Sequence, residues 1–377
     1  LRHCYSDPCK KGKAMSDAIR VVGMMSGTSM DGIDVAEVVT NGITIREFGA
    51  TAYVPYTNHE RQILRLAMGQ WDGLHVRAAT KLVTRSHARA FAKLEVGSVN
   101  LIGFHGQTLA HDPGNRRTLQ VGDGVQLARE TGHPVVWDFR SADVALGGQG
   151  APLAPFFHFA CAKFIGVSEP IAFLNLGGVG NITYVDPLKS DITDQGAVLA
   201  FDTGPANAPL NDFMMDRFGQ AYDANGALAA TGTPDMDVVR AFLRASYFRK
   251  VPPKSLDRNS FPQISKLVAH MNDADGAATV CAIIAATVAR GMEHVPGSVS
   301  QVLVCGGGRH NPVIMSMLRA GLGVPVLTVE HHGLNGDMLE AQAFAYLAAR
   351  VLNKRPTSGP STTGAPVFIG GGELAWP

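Results

Sequence analysis

Met24-Met25-Ser26-Gly27-Thr28-Ser29-Met30-Asp31-Gly32-Ile33-Asp34 lies between two apolar runs, 19–24 and 33–39, and interrupts what would otherwise be one strand. A hairpin needs one or two residues of positive φ, which accounts for a glycine but not for Ser26, Thr28 and Ser29 together with two carboxylates. Successive backbone N–H groups and hydroxyls in such a turn can hold phosphate oxygens, while a carboxylate orders a metal ion or its waters. A tight polar hairpin without a ligand is the other reading of this turn taken alone.

The bulk properties narrow the field. A chain of 377 residues with 46% hydrophobic and 17% charged residues has the size and composition of a two-domain globular protein. A net charge of +1 gives no electrostatic case for nucleic acid or an anionic membrane, so a small-molecule partner is expected. Cys4, Cys9, Cys161, Cys281 and Cys305 are odd in number and scattered, without a CxxC, and argue for reduced cytoplasmic thiols rather than disulfides or zinc. Residues 1–18 read as a disordered lead-in with no apolar signal core, and no later window reads as a membrane span because Gly, Pro or charge breaks each run.

The coarse pattern is α/β and comes twice. In the first half, strands are expected at 19–24, 33–39, 44–53, 101–104 and 134–137, with helices at 64–94 and 126–130. The strand at 101–104 runs into His105-Gly106-Gln107-Thr108 and that at 134–137 into Asp138-Phe139-Arg140, so polar groups stand at strand ends, where open α/β sheets bind ligands. Residues 147–155 are too rich in Gly and Pro for a helix or strand and mark a crossing between an N-terminal lobe, 19–146, and a C-terminal lobe, 147–377. The second half repeats the plan of strand, glycine turn, strand at 171–185, with a third strand at 198–201 and a fourth at 302–305. Helices are expected at 238–245, 261–271, 277–292, 313–322 and 338–351.

Three strand-end turns, 27–34, 202–207 and 306–311, lie far apart in the chain. None is a GxxxxGK[ST] or complete GxGxxG, which excludes a P-loop enzyme and a dinucleotide-binding Rossmann domain; the pattern fits a nucleotide clamped between paired lobes. Asp202 taken alone reads equally as a cap on the following helix, and His331-His332 lacks partners at metal-ligand spacing. Asp337 and Glu340 read as first-turn residues favoured by the helix dipole.

MSGTSMDGID at 25–34, FHGQT at 104–108, Asp138 to Arg140 with Asp143, GGQGAPL at 147–153, NLGG at 175–178, FDTGP at 201–205 and CGGG at 305–308 together resemble the motif series of the anhydro-N-acetylmuramic acid kinases, in that family's order. The resemblance implies two ribonuclease-H-like lobes of the actin-like ATPase kind around an ATP cleft. It implies conversion of 1,6-anhydro-N-acetylmuramic acid, with ATP and water, into N-acetylmuramic acid 6-phosphate during murein turnover, in a cytoplasmic homodimer. Asp202 matches the catalytic base that takes a proton from water at the anomeric carbon.

By the same resemblance Gly27, Thr28, Ser29, Met30, Asp31, Gly32, Ile33 and Asp34 cradle the ATP phosphates, with Asp31 ordering Mg²⁺ through water. Gly204 supplies a second phosphate contact, and Gly306, Gly307, Gly308 and Asn311 meet the adenosine. His105, Gln107, Arg140 and Asp143 are the sugar contacts, Arg140 offering bidentate donors to the lactyl carboxylate. His105 also reads as a satisfied strand-end histidine, and Arg140 with Asp143 as a surface ion pair. Ala206 stands where many members carry glycine, and Asn211 where an acidic residue is common, with Asp212 next to it. Another sugar kinase of the superfamily, or an actin- or chaperone-like ATPase module, are the alternatives.

Overall fold

A computed structural model describes residues 17–256 and 260–377. The N-terminal lead-in therefore falls outside the described residues except for Asp17 and Ala18, as do Cys4 and Cys9. Cys161, Cys281 and Cys305 are free thiols, all buried.

The first half builds β1 (Ile19–Ser26), β2 (Gly32–Thr40), β3 (Ile45–Pro55), α1 (Asn58–Ala67), α2 (Leu74–Phe91), β4 (Leu101–Asp112), β5 (Arg117–Val121), α3 (Gly124–Thr131), β6 (Val135–Trp137) and α4 (Ser141–Ala145). After the crossing come α5 (Pro155–Phe164), β7 (Ile171–Leu176), β8 (Val179–Val185), β9 (Val198–Pro205), α6 (Asn207–Phe218), α7 (Met236–Phe242), α8 (Gln263–Val268) and α9 (Asp273–Met292). The chain ends with β10 (Val302–Cys305), α10 (Pro312–Leu322), β11 (Val326–Thr328), α11 (Leu339–Leu352) and β12 (Glu373–Ala375).

The two sheets share one plan. In the first, the order β3-β2-β1-β4-β6 pairs its first three strands antiparallel and then adds β4 and β6 parallel to β1. In the second, β9-β8-β7-β10-β11 repeats that order and those directions. This is the ribonuclease-H-like, actin-like pair of α/β lobes that the sequence leads one to expect.

Each central strand is buried on both faces, and period two sorts its side chains. Val22 and Met24 of β1 join the core under α1 and α2, whereas Val21 and Met25 join a second core that also takes Phe173, Val185 and Leu303 from the other sheet. α5 and α11 fill that shared core through Phe156, Phe157, Phe344 and Leu347. A third core lies between the outer face of the second sheet and α6 to α10.

The structure corrects several expectations. β4 does not stop at Phe104: it runs to Asp112 and forms a hairpin with β5, so His105 and Gln107 lie inside a strand that outruns its parallel partners. β9 likewise extends to Pro205, and Asp202 is a strand residue; α6 has no side-chain cap, which removes the reading of Asp202 as a helix cap. The chain also crosses back. α11 packs across β1, β2 and β4, and β12 pairs antiparallel with β6, so a boundary that leaves 147–377 in one lobe does not describe the chain. α9 is long and apolar enough to span a membrane by length and composition, contrary to the sequence reading, but it lies in the third core packed on β9 and α10. In the C-terminal tail Val367, Phe368 and Trp376 are exposed, while Ile369 and Ala365 are buried.

Candidate active site in the cleft between the lobes

The strand alternation that builds the shared core also aims polar residues into the gap beyond it. On β7, Ile171 and Phe173 face that core, and Asn175 follows them on the same face. On β8, Val185, Thr183 and Asn181 share a face; Thr183 Oγ1 lies 3.0 Å from Nδ1 of His158 on α5. Phe201 belongs to the outer core, so Asp202 points the other way, beside Asn181 in the ladder. Asn175, Asn181 and His158 border a cavity of about 230 Å³ together with Gly306, Gly307, Asp337 and Glu340. A second cavity of about 490 Å³, lined by Asn207, Tyr222, Asn225, Asn311 and Gly307, adjoins it through that shared glycine.

Asp202 has the properties of a base held near neutrality. Its backbone N–H donates to Lys254 O at 2.9 Å, its backbone carbonyl accepts from the Tyr247 hydroxyl at 2.6 Å, and its Oδ2 accepts from the Leu256 N–H at 2.7 Å. Burial pushes the carboxyl up to about 7, against the single backbone donor that pulls it down. A poised carboxylate of this kind suits proton abstraction from water.

Asp34 is the matching group on the first sheet. Its strand neighbours Ile33 and Val35 enter the core under α1 and α2, which leaves Asp34 on the opposite face. Burial, then the charges of Glu340, Asp337 and Asp31, raise it to about 7. Glu340 is itself raised by burial and opposed by Arg140. Glu340 and Asp337, read from the sequence as helix-start residues, are therefore part of the cleft. Sequence periodicity identifies their helix but not the sheet it returns to.

The remaining candidates divide. Gly27 to Asp31 form the β1–β2 turn, closed by Met30 N–H donating to Gly27 O at 3.1 Å, with Thr28, Ser29 and Asp31 exposed. Gly32 and Ile33 already belong to β2, and the Ile33 side chain is in the core, so only their backbone can serve a ligand. Gly306 needs glycine: φ is +73° and a Cβ would overlap Asn175 Oδ1. Gly308 packs against Leu176, and Gly204 packs against Thr287 of α9 and does not border the 230 Å³ cavity. Asn311 caps α10, its Oδ1 accepting from Val313 and Ile314 N–H at 3.0 and 3.3 Å, with the amide nitrogen left over for the second cavity.

Of the four sugar candidates, three are engaged within the protein. Gln107 is fully buried; its Oε1 accepts from Ser26 Oγ at 3.0 Å and its Nε2 donates to Gly27 O at 3.1 Å, which fixes the β1–β2 turn. His105 packs against Phe344 with the rings tilted, its Nδ1 2.9 Å from Gly106 O and its Nε2 accepting from Arg140 Nε at 3.0 Å. Burial and the Arg140 charge hold it neutral, well below the usual imidazole range. Asp143 is buried and is no surface ion pair: Oδ1 accepts from Gly150 N–H at 2.7 Å, and Oδ2 from Ser358 and Thr363 hydroxyls at 2.5 and 2.6 Å. Arg140 keeps more freedom. Its Nη1 donates to Gly150 O at 2.6 Å, and its Nη2 has no partner among the described residues.

Among the described residues no three His, Cys, Asp or Glu side chains converge closely enough to hold a metal by themselves. The hard oxygen donors that crowd Asp34 do fit Mg²⁺, which keeps most of its waters and is bound by one or two carboxylates together with substrate phosphates.

Two sheets of one strand order, with strand-end turns and a near-neutral carboxylate gathered about a cleft, define a two-lobed α/β protein of the ribonuclease-H-like, actin-like architecture. The model of the anhydro-N-acetylmuramic acid kinase family matches residues 19–372, and the chain belongs to that family. Among its relatives, the anhydro-N-acetylmuramic acid kinase of Ruegeria sp. (strain TM1040) is 56% identical over 97% of this chain and 98% of its own. That of Roseobacter denitrificans is 55% identical over 97% of this chain and 96% of its own. A solved ROK family glucokinase from Streptomyces griseus, in complex with glucose and AMPPNP, is 14% identical with a TM-score of 0.41 over 88% of this chain and 99% of that one. The fold assignment rests on strand order instead of that distant likeness.

Proposed function

We propose that this chain is an ATP-dependent kinase of 1,6-anhydro-N-acetylmuramic acid, acting in the cytoplasm in murein recycling. Asp202 takes a proton from water as the oxygen adds to C1. The C1–O6 bridge bond breaks, O6 accepts the γ-phosphoryl group, and ADP leaves with N-acetylmuramic acid 6-phosphate. The observation that carries the reading is a carboxylate near neutrality on β9 whose ladder neighbour, Asn181, borders a cavity formed by turns of the second sheet and by α11. Phosphoryl transfer needs little covalent chemistry from the protein beyond positioning and charge stabilisation, which the turns at 27–31 and 306–307 supply through backbone N–H groups.

The 490 Å³ cavity is the proposed adenosine site, through Asn311 and Tyr222. Asp31 and Asp34 would hold Mg²⁺ through water, the ion supplying charge neutralisation at the phosphates. Gln107 and His105 act on the sugar side indirectly, the first by fixing the phosphate turn and the second by fixing Arg140. We take the first lobe as 19–146 plus the returning 339–375 and the second as 147–338. The protein works as a homodimer in this reading.

A phosphorylation assay over anhydro and reducing sugars tests the substrate. A strong preference for a sugar with a free hydroxymethyl group would select another kinase of the superfamily, and ATP hydrolysis of equal rate without sugar would select an ATPase module. The proposed reaction predicts little hydrolysis until the anhydro sugar is present.

A further inference from the structure

Asp202 has a polar neighbour whose carboxamide the fold does not use. Asn175 of β7 pairs with Asn181 of β8, and Asn181 with Asp202 of β9, so three polar side chains form one row across three adjacent strands. Their faces agree. Phe173, Val185 and Val198, an even number of residues away on the same strands, enter the shared core, whereas Leu174, Ile182 and Phe201 enter the outer one. Behind the row His158 stacks on Phe173 and approaches Thr183 Oγ1 at 3.0 Å, which fills that side.

The partnership of Asn181 with Asp202 is made by an irregularity. Gly180 pairs with Gly204, so a regular ladder would set Asn181 against Thr203; instead Thr203 is an extra residue in β9, its hydroxyl donating to Gly180 O at 3.1 Å. A bulge of this kind re-aims the side chains beside it. Directly paired residues hold their Cβ atoms about 5 Å apart, close enough for one water molecule to touch both side chains. Asn175 lies two strands from Asp202, about 10 Å away, and is out of reach of such a water.

Asn181 is available for this contact. Asn207 commits its Nδ2 to Leu176 O at 2.8 Å and Asn311 its Oδ1 to the start of α10. Among the described residues the Asn181 carboxamide makes no hydrogen bond, and it borders the cavity of about 230 Å³. A water molecule that attacks carbon has two O–H bonds to place: the base takes the proton of one, and an acceptor for the other fixes where the lone pair points.

We propose that the Asn181 carboxamide oxygen accepts the second O–H of the attacking water, so that Asp202 and Asn181 together hold and aim it. This role rests on Asp202 being the base of anhydro-ring opening. The water oxygen bonds C1, one proton passes to Asp202, the C1–O6 electron pair stays on O6, and O6 takes the γ-phosphoryl group; Asn181 neither gains nor loses a proton.

Steady-state turnover of wild type and Asn181→Ala, in water and in water–methanol mixtures, tests it. Methanol has one O–H. It can give that proton to Asp202 and add its oxygen to C1, yielding the methyl glycoside 6-phosphate, but it leaves the Asn181 oxygen unpaired, and a site built around a hydrogen bond rejects a partner that lacks it. Wild type should therefore form almost only N-acetylmuramic acid 6-phosphate. In Asn181→Ala kcat should fall about 10²-fold, the usual cost of misplacing a reacting group, with KM for ATP and for the sugar unchanged, and the methyl glycoside share should rise severalfold. An unchanged kcat, a loss that appears in either KM instead, or an unchanged product ratio overturns the assignment. If Asn181→Ala fails to fold, Asn181→Leu, which keeps the volume and removes both polar atoms, decides by the same criteria. Wild-type protein that turns over no anhydro sugar overturns the substrate reading and this role with it, whereas wild-type turnover matched by Asn181→Ala overturns this role alone.

Discussion

Asp202 and Asp34 are raised to about 7 for the same first reason, burial, but differ in what surrounds them: one backbone donor for Asp202, three further carboxylates for Asp34. A base must be deprotonated to act, so kcat/KM should rise with pH through an apparent value near 7 and level off above it, measured in a buffer series at saturating ATP. The same shift has a stability consequence of opposite sign. Between the unfolded value of 3.8 and about 7 the folded state holds more protons, so the stability contribution of Asp202 falls as pH rises through that window. Asp202→Asn should therefore raise the melting temperature relative to wild type at pH 8 and leave it unchanged at pH 3. In turnover the same variant should lose about 10²- to 10⁴-fold, the usual worth of a positioned base, with ATP affinity retained by calorimetry. The sequence identifies Asp202 through its motif, and its pKa depends on β9 continuing to Pro205 and on the segment at 254–256 lying against it, neither of which a local pattern encodes.

At the scale of elements, α11 decides the geometry. A Cβ at Gly23 of β1 would overlap the Ala341 carbonyl oxygen, and one at Gly103 of β4 would overlap that of Phe344, so the two glycines let the helix lie directly on the sheet. Gly23→Ala should cost about 1–3 kcal/mol or more, as overpacking of a dense core does, read from the midpoint of urea unfolding. Because Glu340 stands in the first turn of that helix and borders the cleft, activity should fall in the same variant even at temperatures where it stays folded. Most helices and strands were legible from their periods. The continuation of β4 into its hairpin with β5 was not, since the alternation that marks a strand does not show where its parallel neighbours end. For the same reason Gln107 read as a ligand group when its amide is engaged with Ser26 and Gly27.

Across the whole molecule, the C-terminal segment straps the lobes. Ser358 and Thr363 hold Asp143 of α4, Thr363 O accepts from Gln149 N–H at 2.7 Å, and Ser361 O accepts from Ala200 N–H of β9 at 2.8 Å before β12 joins the first sheet. Asp143→Ala leaves a buried N–H and two hydroxyls without their acceptor and should cost about 2–4 kcal/mol, measured by denaturant titration. The repeat of strand, glycine turn and strand made the two lobes legible. The strap was not, because a three-residue strand such as Glu373–Ala375 carries no period and its partner lies far back in the chain. With the crossing at 147–155 and this strap as the links, nucleotide and sugar together should lower the radius of gyration in solution scattering; identical profiles with and without both ligands would exclude closure.

The reaction assigned to the cleft makes one demand that no ordinary sugar kinase makes: water must enter the product at C1 in the same turnover that phosphorylates O6. Mass analysis of the product formed in water labelled with heavy oxygen reads both events at once. The account predicts a phosphorylated sugar carrying one heavy oxygen at C1 when trapped before anomeric exchange, formed about 10²- to 10⁴-fold more slowly by Asp202→Asn. A phosphorylated product without the label, or labelled product at wild-type rate from Asp202→Asn, would contradict it.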